Sequence, residues 1–180
     1  LVGEGGQGIQ TIAKIIATSC NTTGYHASVI PNFGTEQRGG ISIAFLQVSP
    51  VPIIAPKFKT ADLFVIVSDR NIERTLRYIG NHTSVIYDKA LVSAATVNRL
   101  NAKSTCLTSI SAFKLATEKL TERSFNVILI GILTGLIDPT MKPTVISNMD
   151  KKFDKYYEKN KELKQFNNDA FRLGFNLTQD

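Results

Sequence analysis

Apolar residues along this chain recur with two periods, and the points where the period changes divide it into elements. Ile9, Ile12, Ala13, Ile16, Ala17 and Cys20 fall at the i, i+3, i+4, i+7 spacing of one helix face, and Gly24 supplies its stop. Tyr25 to Pro31 then reads as a strand. Ile41 to Val48 is a strand apolar on both faces, as an interior sheet position requires. Prolines at 50, 52 and 56 punctuate a loop around Ile53-Ile54, and Leu63 to Val67 is the next strand. Ser68 or Asp69 caps a helix that turns Ile72, Leu76 and Ile79 inward and ends at Gly80. Val85 to Tyr87 is again a strand, and residues 89–107 fit a short helix followed by a strand. A helix over Ala112 to Leu120 leads into Asn126 to Ile137, apolar nearly all round and therefore buried on several sides. Asp138-Pro139 breaks it, and Pro143 suits the first turn of its successor. From Asp150 the spacing of Phe153, Tyr156, Tyr157, Leu163, Phe166 and Ala170 is helical. One aromatic side there faces this domain or a partner.

Strands alternating with helices predict an α/β fold: a single Rossmann-like domain over residues 1–180, with a mostly parallel sheet flanked by helices. The segment from about 140 to 175 forms a C-terminal helical layer. Leu1 and Val2 read as the end of a first strand that begins before them. At 180 residues, 43% hydrophobic and 20% charged, the chain suffices for one good core. No window resembles a secretory signal, and the longest apolar run, Val127 to Ile137, falls short of the about 20 residues a bilayer demands. The expectation is a cytoplasmic protein without membrane contact.

Charge and metal-ligand chemistry narrow the choice further. The formal charge of +6 comes without a dense basic block or interleaved aromatics, which argues against nucleic acid and leaves a mildly basic docking or anion-binding surface. Two cysteines, Cys20 and Cys106, and two histidines, His26 and His82, provide no disulfide framework, no iron–sulfur ligand set and no zinc pattern. No metal site and no catalytic residue is expected in this chain.

The candidate chemistry lies at two glycine-flanked loops. Gly3-Glu4-Gly5-Gly6-Gln7-Gly8 stands between a strand and a helix, where backbone approaches a ligand closely and first-turn amides favour a phosphate, pyrophosphate or carboxylate. Gly3, Gly5 and Gly8 match the dinucleotide pattern G-x-G-x-x-G, but that pattern needs an acid at the end of the second strand, and Tyr25 to Asn32 holds none. The triphosphate loop fails too, because no Lys-Ser or Lys-Thr follows Gly8. A tight turn without ligand is the alternative. In the second loop, Asn32 to Gly40, Arg38 offers a planar fork for carboxylate or phosphate, Glu36 orients it, and Gly39-Gly40 closes the turn. The alternative is a pair of solvated charges. Following a second parallel strand, this loop reaches the same carboxyl edge as the first, where open α/β sheets bind ligands. Asn126 either caps its helix, the simpler assignment, or reaches toward the glycine loop.

Taken together, G-E-G-G-Q-G at Gly3 to Gly8, T-E-Q-R-G-G at Thr35 to Gly40, the apolar helix opening at Asn126 and the closing N-D-A-F-R-L-G at Asn168 to Gly174 resemble the gamma subunit of 2-oxoacid:ferredoxin oxidoreductases. The resemblance covers nearly the whole chain. It implies a non-autonomous subunit of an enzyme that decarboxylates a 2-oxoacid, 2-oxoglutarate before pyruvate, to an acyl-coenzyme A. In such enzymes thiamine diphosphate, magnesium and iron–sulfur clusters belong to alpha, beta and, where it exists, delta subunits, and electrons leave to ferredoxin or flavodoxin. The gamma domain serves assembly and the approach of coenzyme A. The resemblance assigns Gly3, Gly5, Gly6, Gln7 and Gly8, with Glu36, Arg38, Gly39 and Gly40, to a coenzyme A or subunit interface. Thr35 and Gln37 depart from the serine and apolar residue more usual there. The competing readings are a free-standing Rossmann-like nucleotide-binding module and a purely structural docking domain.

Overall fold

The computed structural model describes residues 1–34, 39–55 and 58–178. Thr35, Glu36, Gln37, Arg38 and Pro56, named above, lie outside the described residues. Strands β1 (Val2–Glu4), β2 (His26–Phe33), β3 (Ile41–Ser49), β4 (Leu63–Ile66), β5 (Ser84–Asp88) and β6 (Cys106–Ile110) form one six-stranded sheet in the order β2-β3-β1-β4-β5-β6. Helices α1 (Ile9–Thr22), α2 (Ile72–Thr75), α3 (Ala94–Asn101), α4 (Ala112–Lys119), α5 (Phe125–Ile137), α6 (Lys142–Tyr157) and α7 (Glu162–Asn176) pack on it.

The expected α/β sheet is present, with β3 as its one reversed strand. β1 pairs parallel with β4, β4 with β5 and β5 with β6, whereas β3 is antiparallel to both β1 and β2. β2 therefore runs in the direction of β1, as a second parallel strand should, but does not touch it and pairs with β3 instead. Composition explains the exchange. β3 is apolar on both faces and takes the interior place, while β2 carries Pro31, which lacks an amide hydrogen and is tolerated at a sheet edge. The single helix expected over 69–79 is α2 with a 3-10 turn on either side, Asp69–Asn71 and Leu76–Tyr78.

Alternation along the strands sorts side chains into two cores. On one face Ala44, Val65, Val67, Ile86 and Ile110 pack with α1, α4, α5, α6 and α7; on the other Val2, Ile43, Phe64, Ile66 and Val85 pack with α2 and α3. The helix leaving β1 thus goes to one face and the helical segment leaving β4, its neighbour, to the other. This is the topological switch at which α/β sheets open a crevice at their carboxyl edge. α5 is buried almost throughout and meets α7 backbone to backbone. A Cβ at Gly131 would strike the Phe171 carbonyl oxygen, and one at Gly174 the Ile128 carbonyl oxygen. The closing Asn168 to Gly174 stretch is thereby explained as the seat of α5. The aromatic side of the last two helices divides: Tyr157 and Phe171 are buried, while Tyr156 and Phe166 remain exposed at 61% and 42%.

Candidate functional site

Both glycine loops meet at the carboxyl edge, as their positions in sequence required. The Gly5 amide donates to the Gly40 carbonyl at 2.8 Å, and the Gly39 amide to the Gly5 carbonyl at 3.5 Å. Within the first loop the glycines have different duties. Gly3 makes room for a side chain, since a Cβ there would lie 2.5 Å from Gln7 Oε1 and 2.8 Å from Ile9 Cγ1. That carboxamide bonds to the fold through both its oxygen and its nitrogen. Gln7 Oε1 accepts from the Glu4 amide at 2.7 Å, and its Nε2 donates to the Val67 carbonyl at 3.0 Å, stitching the end of β1 to the end of β4.

Gly6 and Gly8 are the positions where backbone itself is presented. Both hold positive φ, 106° and 77°, a region that side chains disfavour. Gly6 is exposed, with open space where a side chain would stand. Gly8 opens α1 without a capping side chain, and no acid occupies the first turn. The first intrahelical bond is Ile12 N–H to the Gly8 carbonyl, at 2.9 Å, so the earlier amides look out from the positive end of the helix dipole toward the crevice.

Asn126 overturns the simpler expectation that it caps its helix. α5 begins at Phe125 behind Ser124 without a side-chain cap, and the Asn126 carboxamide lies against Gly8, where a Cβ would come within 2.7 Å of its Nδ2. Its Oδ1 is shut from solvent and has no hydrogen-bond partner among the described residues. A buried carbonyl oxygen without a donor is costly, and Gln10 Oε1, Gln47 Oε1, Asp150 Oδ1 and Asn168 Oδ1 share that state.

The structure adds residues that sequence reasoning missed. Ser68 Oγ, just past β4, donates to Glu4 Oε1 at 2.5 Å and accepts from the Arg70 amide at 3.2 Å. Arg70 reaches across the switch: its Nη1 donates to the Gly39 carbonyl at 2.6 Å and its Nε stands 3.7 Å from Glu4 Oε1. The available signal was positional, because a residue two or three places past an apolar strand falls on the carboxyl edge. Asp69 is turned to structural use. Burial works against its charge, but the Ser93 amide and the Ser93 and Thr96 hydroxyls outweigh it and hold the carboxyl below its ordinary range. Of the sequence-predicted residues, Gly3, Gly5, Gly6, Gln7, Gly8, Gly39 and Gly40 come together; Glu36 and Arg38 belong to the undescribed part of the second loop.

Other features lie away from this edge. A cavity of about 400 Å³ between Leu1, the end of β3 and Thr60–Phe64 sits at the amino edge of the sheet, remote from both loops. Cys20 is buried and Cys106 exposed, and no three His, Cys, Asp or Glu side chains among the described residues are grouped to hold a metal ion. No helix among them is long and apolar enough to cross a membrane.

A family model for pyruvate ferredoxin/flavodoxin oxidoreductase matches residues 1–177. Among curated proteins, the chain is similar to the ketoisovalerate oxidoreductase subunit VorA of Methanothermobacter marburgensis, 26% identical over 74% of this chain and 27% of that protein. It is also similar to the 2-oxoglutarate synthase subunit KorC of Archaeoglobus fulgidus, 30% identical over 52% of this chain and 50% of that one. The chain thus spans about a quarter to a half of these relatives. Among solved structures it resembles the 2-oxoglutarate:ferredoxin oxidoreductase from Magnetococcus marinus, which holds 2-oxoglutarate, coenzyme A and succinyl-CoA. There the TM-score is 0.83 at 24% identity, over 99% of this chain and 30% of that one. The gamma subunit of a keto/oxoacid ferredoxin oxidoreductase from Geobacter sulfurreducens gives 0.71 at 17% identity, over 98% and 95% of the two chains.

Proposed function

This chain belongs to the pyruvate ferredoxin/flavodoxin oxidoreductase family, and from that membership we propose that it is the gamma component of a 2-oxoacid:ferredoxin oxidoreductase, helping to assemble the enzyme and to position coenzyme A. Residues 1–180 act as one gamma-type domain, with the helices from about 140 to 175 as its outer layer. Its partners are the alpha and beta subunits, with a delta subunit where one exists. They carry thiamine diphosphate, magnesium and iron–sulfur clusters and pass electrons to ferredoxin or flavodoxin, and the complex resides in the cytoplasm. The substrate class is a 2-oxoacid, 2-oxoglutarate before pyruvate.

One observation carries the coenzyme A reading. Gly6 and Gly8 expose backbone at the uncapped start of α1, beside the Asn126 carboxamide nitrogen, in the switch crevice that Gly39 and Gly40 border. Backbone amides and a helix N-terminus suit phosphate or pyrophosphate oxygens. When bound, coenzyme A supplies the thiol that accepts the acyl group. The residues of this chain bind and orient it, a proximity contribution rather than a chemical step. The free-standing dinucleotide module lacks its acid, since β2 from His26 to Phe33 contains none.

The test is the purified multisubunit enzyme, assayed for 2-oxoacid oxidation as coenzyme A is varied. Asn126→Ala and Arg38→Ala should each raise the KM for coenzyme A while thiamine diphosphate content stays constant. Unchanged coenzyme A dependence in an intact complex for both variants would leave a purely structural subunit.

A further inference from the structure

The cavity of about 400 Å³ at the amino edge is an opening in the sheet itself. β1 stands between β3 and β4, yet it is three residues long against nine in β3 and four in β4. Its ladder on β3 ends where the Leu1 nitrogen donates to the Ala44 carbonyl and the Ala44 amide to the Leu1 carbonyl, both at 2.9 Å. On β4 it sets Val2 opposite Ile66, and the Val67 amide donates to the Val2 carbonyl at 2.9 Å. Past these bonds β3 runs on to Ser49 and β4 back to Leu63, with no strand between them among the described residues. Strands two places apart in a sheet lie about 10 Å from each other, so the opening is one strand wide. It passes through the sheet: Leu133 and Ile137 of α5 line it from one face, Phe58 and Tyr78 from the other.

The rims of the opening are rows of peptide groups. Alternate residues of a strand turn their N–H and C=O to the same side. Ala44 turns them to β1, so Leu46 and Val48 turn theirs into the opening, while Phe45 and Gln47 bond to β2. Val67 faces β1 from the other rim, so Val65 and Leu63 follow it. Side chains alternate as well. Leu46 packs on the α5 side, and Gln47 points to the opposite face, where its Oε1 is shut from solvent without a hydrogen-bond partner among the described residues. A small apolar ligand would fill the volume and leave both rows of peptide groups unbonded. An extended strand satisfies the two rims at once.

We propose that this opening is a strand site, filled by about four residues that lead into Leu1 in the same polypeptide and lengthen β1 opposite Phe45 to Val48, antiparallel to β3 and parallel to β4. The bonds already formed set the register. Counting back from Leu1, the second residue pairs with Leu46 and the third with Gln47. The second therefore faces Leu133 and Ile137 and is apolar, and the third lies beside Gln47 and offers its Oε1 a donor. Only a segment joined to the Leu1 nitrogen continues both ladders without a break, which selects the same polypeptide over a second copy or a partner subunit. Lengthened in this way, β1 is anchored along β3 while its other end carries the Gly3 to Gly8 loop.

Two measurements on the chain as it occurs in the purified native enzyme test this. Its intact mass and amino-terminal sequence should show at least about four residues ahead of Leu1, enough to span the opening. Residue-resolved amide exchange should then find Leu46 and Val48 as slow as Phe45 and Gln47. With those residues present, exchange at Leu46 and Val48 about 100-fold faster than at Phe45 and Gln47 would overturn the proposal. A chain that begins at Leu1 would overturn it as well, and slow exchange in such a chain would give the opening to a strand from a partner. The second measurement fixes the register. A cysteine placed three residues ahead of Leu1 should close an intramolecular disulfide with Gln47→Cys, because opposed residues outside the hydrogen-bonded pairs lie about 4.5 Å apart. It should not close one with Val48→Cys, whose side chain stands on the other face. Equal yields for the two pairs, or a disulfide joining two copies, would overturn the proposal. Where a cysteine pair prevents assembly, the exchange measurement decides alone.

Discussion

Replacing Gly174 with alanine sets two effects of opposite sign against each other. Alanine is the better helix former, worth about 1 kcal/mol in a helix interior. Against this, the new Cβ would stand 2.8 Å from the Ile128 carbonyl carbon and 3.0 Å from its Cα, and closer still to the carbonyl oxygen. Carbon–carbon contacts settle at about 3.5–4.0 Å, so α7 must withdraw from α5 by roughly 1 Å. No rotamer change relieves the clash, because the obstacle is backbone. Withdrawal loosens the packing of Ala170, Phe171 and Phe175, all buried against α5. Overpacking of this kind costs about 3 kcal/mol, leaving a net loss of about 2 kcal/mol after the propensity gain. For a chain of this size the melting temperature should fall by roughly 4–8 °C. Thermal melts followed by circular dichroism on parent and variant measure it. A variant as stable as the parent, or more so, would show that the helices are not held at this distance. Gly131→Ala, which meets the Phe171 carbonyl, should behave alike, and the double variant should lose less than the sum because one displacement relieves both clashes.

Three further outcomes follow from the geometry. Gln7→Ala strips partners from the Glu4 amide and the Val67 carbonyl and should cost about 1–3 kcal/mol in a denaturant melt; Gln7→Glu, keeping only the acceptor, should fall between. Burial pushes the Cys20 thiol up to about 11, with the Asp138 charge adding to it, so a thiol reagent at neutral pH should label Cys106 at once and Cys20 only as the chain unfolds. Two labels with equal fast rates, read by mass, would contradict that burial. Because its carboxyl titrates below the ordinary range in the folded state, Asp69 contributes stability that is present above that range and lost as pH falls through its folded value. Asp69→Asn should therefore lower stability at neutral pH and flatten the acid limb of a stability–pH profile, and an unchanged limb would refute the role.

How far the sequence carries depends on the range of the interaction concerned. Helix and strand identities were legible because burial on one face imposes a period on local residues, as in Ile9 to Cys20 and in the doubly apolar Ile41 to Val48. The meeting of the two glycine loops was legible as well, since β2 runs in the direction of β1 and so delivers its loop to the same edge. Local pattern is silent on neighbours. That β3 would reverse and insert between β1 and β2 was settled by which strand could tolerate both faces buried and which could carry Pro31 at an edge. Asn126 and Gly8 are separated by most of the chain. Only the packing of α5 on α1, held from behind by Gly131 and Gly174 against α7, brings that carboxamide to the glycine turn. Gln7, assigned by resemblance to a coenzyme A or subunit interface, bonds the Glu4 amide and the Val67 carbonyl, and Arg70 reaches the site through Gly39. A side chain's partner is chosen by distance in space, and sequence records only distance along the chain.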